Sequence, residues 1–123
     1  MRSAFIAIRD RLDRAGILLS GLCMVHCVLG VVLVGVLGLG GGMLMSPAIH
    51  RYGLVLALAV GLVSLGLGIL RHGRIGPLVL GGFGLALMAS AIAVGHGLPE
   101  AVLTIAGVAL VAFAHIRNLH PAC

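Results

Sequence analysis

Lysine and tryptophan are absent, only three residues are acidic, and aromatics make up 3% of the chain. Each gap excludes something. Charged residues reach only 9%, against about 25% in a soluble domain, so the chain lacks the polar surface of a water-facing monomer. With no lysine, the formal net charge of +5 rests on arginines that stand at the ends of apolar segments. They form no stripe interleaved with stacking aromatics, so the basicity reads as membrane topology and no nucleic-acid partner is expected. The missing tryptophan removes most of an interfacial aromatic belt and leaves Tyr52 as its candidate member. Three cysteines are too few and too unevenly placed for a disulfide framework; Cys23 and Cys27 fall inside an apolar segment and read as thiols. No Walker-type loop is present, so the chain cannot itself use ATP. A non-enzyme with no tightly bound cofactor is expected.

What the chain does have is long apolar runs. Hydrophobic residues make up 61% of it, and segments 16–39, 52–70, 77–95 and 100–116 each approach the roughly 20 helical residues that cross a hydrocarbon core. A water-soluble core would need polar sequence to coat it, and almost none remains. The expected fold is an all-α integral membrane protein, an antiparallel bundle of four transmembrane helices joined by short loops, in a single domain over residues 1–123. Pro77 suits a first helical position. Residues 1–14 contain an apolar stretch too short for a signal peptide, so the first span is expected to be retained. Phe5, Ile8 and Leu12 at helical spacing, with Arg9 and Arg11 between them, predict a short helix at the membrane surface.

Arginine placement sets the orientation, because cytoplasmic loops hold excess positive charge. Arg2, Arg9, Arg11, Arg14, Arg71, Arg74 and Arg117 fall on one side and Arg51 on the other, which predicts cytoplasmic termini. Glycines at small-xxx-small spacing, as in Gly82, Ala86 and Ser90 or in Ser64 and Gly68, predict close helix packing.

The chemistry concentrates in Cys23-Met24-Val25-His26-Cys27. Stepping about 100° per residue places Ser20, Cys23 and Cys27 on one helix face with His26 at its edge. Residues four apart have Cβ atoms roughly 5–6 Å apart, so both sulfurs can close on one ion. Two thiolates cancel a divalent charge and lower the penalty for carrying it through a low-dielectric medium. A buried free cysteine is commonly only a small hydrophobe, but a pair at this spacing beside an imidazole within a span points to function. In the last span Glu100, Thr104, His115 and Asn118 fall within an arc of roughly 60°, a stripe that lipid will not face. His50 and His96 lie on the external side near Glu100. His72, His120 and Cys123 lie on the cytoplasmic side, with His115 near that boundary. The candidate metal residues are thus Cys23, Cys27, His26, His50, His96, Glu100, His115 and Cys123, which sketch an entry site, a membrane thiol site and an exit site.

The cysteine motif, His50-Arg51-Tyr52, Arg71-His72-Gly73, Gly95-His96-Gly97 before Glu100, and Ala114-His115-Ile116-Arg117-Asn118 together resemble the MerC family of membrane mercury-uptake proteins over nearly the whole chain. The resemblance implies four transmembrane helices, cytoplasmic termini, a bacterial inner membrane, and uptake of Hg(II) through Cys23 and Cys27. It also implies a cytoplasmic C-terminal thiol site that passes the ion on. The chain departs from the family in two places: Cys123 alone stands where the mercury-resistance members carry a pair, and Val28-Leu29-Gly30-Val31 lacks the first-span proline that often follows the cysteines.

The expected activity is heavy-metal import by thiol ligand exchange, with Hg(II) as substrate and Zn(II), which accepts mixed Cys and His ligands, as the alternative. The expected partners are the lipid bilayer, a periplasmic metal carrier and a cytoplasmic acceptor. A membrane thiol-disulfide oxidoreductase is the competing class, although resolving pairs usually take the Cys-x-x-Cys form at a helix N-terminus. An accessory subunit without transport of its own is a third reading, and it predicts that Cys23→Ser leaves metal uptake unchanged.

Overall fold

The computed structural model of the chain describes residues 1–38, 42–95 and 97–120. Among these residues there is no strand, and the order is α1 (Arg2–Gly30), α2 (Pro47–His72), α3 (Gly76–Val94) and α4 (Leu98–Leu119). A π-helical segment, Val31–Val36, extends α1, and a 3-10 turn, Gly42–Met45, precedes α2. All four helices are long and apolar enough to cross a membrane.

The ends of α2 follow from local chemistry. Ser46 caps its N-terminus, where the hydroxyl oxygen accepts from the Ala48 N–H at 3.4 Å, and Pro47 takes the first position, at which no helical N–H is needed. Gly73, at φ +67°, closes it in the left-handed region and donates its N–H to the Ile69 carbonyl at 2.8 Å.

The residues predicted as a separate surface segment, 1–14, are the first part of α1 and run into the span without a break. Phe5 and Ile8 face outward, while Arg9 and Asp13 are buried. Asp13 faces inward to Ser64 of α2 and to His115 and Asn118 of α4, while Arg9 pairs with Asp10 of its own helix.

Packing uses small residues. Where α3 meets α4, a Cβ on Gly84 would sit 2.6 Å from the Gly107 carbonyl oxygen, and one on Gly107 would sit 2.7 Å from the Met88 Cγ, so only glycine permits this crossing. Gly81 makes room for Leu65 of α2 and Ala114 of α4. The predicted stripe of Gly82, Ala86 and Ser90 is not used within the chain. All three are exposed, and nothing lies within 4 Å of a Cβ placed on Gly82. The register of α3 against its neighbours instead selects Gly81, Gly84, Leu85, Met88 and Ala91. Ser64 and Gly68 are buried, as their spacing predicts.

Contacts along α1 and α4 run in opposite order. Asp13, early in α1, meets His115, late in α4. Cys27 shares a cleft with Thr104, near the start of α4. The exterior is lined with Leu18, Leu22, Val25, Leu62, Val63 and similar side chains, while the buried set includes Arg9, Asp13, Ser20, Ser64, Glu100, Thr104, His115 and Asn118. An apolar outside around a partly polar inside suits a lipid solvent.

Candidate metal site

Helix α1 presents Ser20, Cys23 and Cys27 along one inward face, with Ser20 and Cys27 buried and Cys23 half-buried. Both thiols are free. They open into a cleft of about 460 Å³ between α1, α2, α3 and α4, whose polar lining comes from Cys23, His26, Cys27, His50, Tyr52 and Thr104. The rest of the lining is largely aliphatic, so a bound ion would meet little beyond these side chains to offset its charge. Gly53 on α2 faces Cys23, whose Sγ would stand in ordinary van der Waals contact, at 4.0 Å, with a Cβ at that position.

His50 projects from the first turns of α2 toward the cysteine motif. Its ring meets that of His26 edge to face, with centroids 5.4 Å apart and planes at 67°. Its Nε2 lies 3.9 Å from Glu100 Oε1, in the first turn of α4, where a carboxylate suits the positive end of the helix dipole. Five of the predicted residues thus gather at one end of the bundle: Cys23, Cys27, His26, His50 and Glu100. Among the described residues, no three of the Cys, His, Asp and Glu side chains stand close enough together to share one ion. What the geometry offers a metal is the sulfur pair, one helical turn apart, with the imidazoles and the carboxylate around it.

His115 stands elsewhere. It is buried toward the opposite end, where its Nδ1–H donates to Asp13 Oδ1 at 2.8 Å. The same oxygen accepts from the Ser64 hydroxyl. Asn118 Nδ2 donates to Asp13 Oδ2 at 2.8 Å and to the Ser64 carbonyl at 3.2 Å. Asn118 Oδ1 accepts from His72 Nε2–H at 3.0 Å, a tautomer consistent with His72 Nδ1 accepting the Arg74 N–H at 3.1 Å. A single carboxylate on α1 therefore ties α2 and α4 together, and the three donors aimed at it offset the penalty of burying its charge.

The predicted polar stripe of α4 does face inward, since Glu100, Thr104, His115 and Asn118 are all buried. It is divided, however: Glu100 and Thr104 serve the cysteine end, and His115 and Asn118 serve the Asp13 end. Asp13 was missed from the sequence. The available signal was its spacing from Ser20, Cys23 and Cys27, which puts it on the same face of α1. His96 and Cys123 lie outside the described residues.

A family model described as MerC mercury resistance protein covers residues 13–120. No curated protein and no solved structure matches the chain.

Proposed function

This chain belongs to the MerC mercury resistance protein family, and from that premise we propose that it is an inner-membrane importer of Hg(II) in which Cys23 and Cys27 carry the ion. The observation that carries the reading is that both thiols of the motif, one helical turn apart, open into the same cleft. Loading is ligand exchange: the two sulfurs bind the ion, and the ligands it arrived with leave together with the thiol protons. The product is neutral, which is what a low-dielectric path requires. His26 and His50 line the cleft, Glu100 stands beside His50, and the three would attract an incoming cation and accept displaced protons.

The donor set favours a soft ion content with two sulfurs. A structural Zn(II) site almost always has four ligands, whereas here the sulfur pair has no third Cys, His, Asp or Glu within sharing distance among the described residues. Zn(II) import would require the imidazoles of His26 and His50 to close in on the pair.

The topology that fits this reading is an antiparallel bundle with both termini cytoplasmic, because Arg2, Arg11, Arg14, Arg71, Arg74 and Arg117 are exposed toward the end that carries the termini. The cysteine cleft then opens toward the periplasm, where a carrier would deliver the ion, and a cytoplasmic acceptor would receive it. Transport and not redox catalysis is the reading that the family supports.

The test is uptake of Hg(II) and Zn(II) into vesicles reconstituted with the full chain, alongside Cys23→Ser and Cys27→Ser. Hg(II) uptake that either substitution abolishes is the expected result. Uptake of both ions unaltered by both substitutions would remove the cysteine pair from the mechanism.

A further inference from the structure

Between the cysteine cleft and the end of the bundle that carries the termini, the most deeply buried line of α1 has no aliphatic side chain, Leu19 beside it being only partly buried. It reads Arg9, Asp13, Gly16, Ser20, Cys23, Cys27 and Gly30, alternating steps of four and three, and every member is buried except the half-buried Cys23. Close packing explains the glycines and the serine. It does not explain a carboxylate and a guanidinium on the same seam, since an ionisable side chain within a span is expensive unless it has work to do.

Facing this seam, α4 closes it at one level. The His115 imidazole occupies the space that a Cβ on Gly16 would fill, and Asn118 occupies the corresponding space at Gly68 of α2. Both side chains are held by Asp13, at 2.8 Å each. From Cys23 to Gly16 is roughly 10 Å along α1 at about 1.5 Å per residue, so the plug stands about two helical turns below the nearer thiol. An ion leaving the cysteine pair toward the termini along α1 meets Ser20 first and then the imidazole over Gly16.

We propose, resting on the transport reading, that the α1–α4 seam is the ion's route from the cysteine pair and that His115, laid over Gly16 and pinned by Asp13, is the closed gate on it. The gate is built from hydrogen bonds and not from aliphatic packing, so it can part without exposing apolar surface to the ion. Opening moves His115 and Asn118 off their glycines and frees the acceptors of Asp13. Gly16 and Gly68 supply the recesses, and Asp13 supplies the latch. Ser64 and His72 hold the latch in register, Ser64 by donating to Asp13 and His72 by donating to Asn118.

Thiol accessibility tests this without metal. In the full chain carrying Cys23→Ser and Cys123→Ser, Cys27 is labelled with a small membrane-impermeant cationic methanethiosulfonate, in vesicles of each orientation. Labelling from the cleft side should be fast, and labelling from the side of the termini slow. Adding Asp13→Asn should raise the slow rate about tenfold or more, the factor that the loss of one charge-assisted hydrogen bond converts to, and leave the fast rate unchanged. Ser64→Ala, which removes one of the donors to the carboxylate and leaves the charge in place, should give an intermediate increase. If Asp13→Asn does not fold, its cleft-side rate departs from the parent's too, and Ser64→Ala decides. Equal rates from both sides in the parent chain, or no change in the slow rate with either variant that retains its cleft-side rate, overturns the gate. Hg(II) uptake in vesicles holding the same Asp13 and Ser64 variants with all cysteines intact should rise with the slow labelling rate. If the labelling pattern holds and the wild-type chain takes up no Hg(II), the transport reading fails while the seal remains.

Discussion

His115 lies flat against Gly16, its imidazole filling the volume that a methyl group there would take, while its Nδ1–H reaches Asp13 at 2.8 Å. One glycine thus permits a contact between residues that are 102 positions apart. Gly16→Ala should therefore overpack the seam and cost about 1–3 kcal/mol. Thermal unfolding in detergent micelles measures it. Combined with His115→Ala, the methyl group has room, so the double variant should be less destabilised than the sum of the singles. Additive effects would show that the two residues do not share this space.

Asn118 is the second donor arm. Asn118→Ala leaves Asp13 Oδ2 without the bond it receives at 2.8 Å and takes the acceptor from His72 Nε2. The expected loss is about 1–3 kcal/mol, the penalty for leaving a buried polar group unsatisfied. The same melts read it, and an unchanged midpoint would mean that water replaces the amide.

Glycines on α3 should divide sharply by face. Gly84 looks onto the Gly107 carbonyl, whereas nothing stands near Gly82. Gly84→Ala is expected to cost about 1–3 kcal/mol by forcing α3 and α4 apart, and Gly82→Ala to change stability by no more than about 0.5 kcal/mol. Comparable losses at both positions would mean that the exposed face of α3 is occupied, as it would be against a second copy of the chain.

Metal affinity should depend on both sulfurs. Cys23→Ser or Cys27→Ser is predicted to weaken Hg(II) binding by at least about 100-fold, beyond what the loss of a merely supporting residue costs. Titration of the purified chain against a competing thiol reads this directly. His50→Gln, which keeps the size and removes the imidazole, should slow capture and leave the equilibrium affinity within about tenfold. An affinity loss as large as that of the cysteine variants would instead make His50 a ligand.

Hydropathy alone places the four spans, because lipid demands long apolar helices whatever their packing. Helical periodicity alone puts Cys23 beside Cys27 and turns Glu100, Thr104, His115 and Asn118 to one side of α4, since 100° per residue is a local property of the chain. Periodicity cannot name the partner of a polar face. That the α4 stripe splits into a cysteine end and an Asp13 end, that Asp13 is buried among α1, α2 and α4, and that α3 packs through Gly81 and Gly84 and not Gly82, all follow from how the helices are rotated and shifted against one another. Those offsets depend on which small residues allow backbones to meet and which buried donors and acceptors can be matched at once. Both conditions are met only when the helices are assembled.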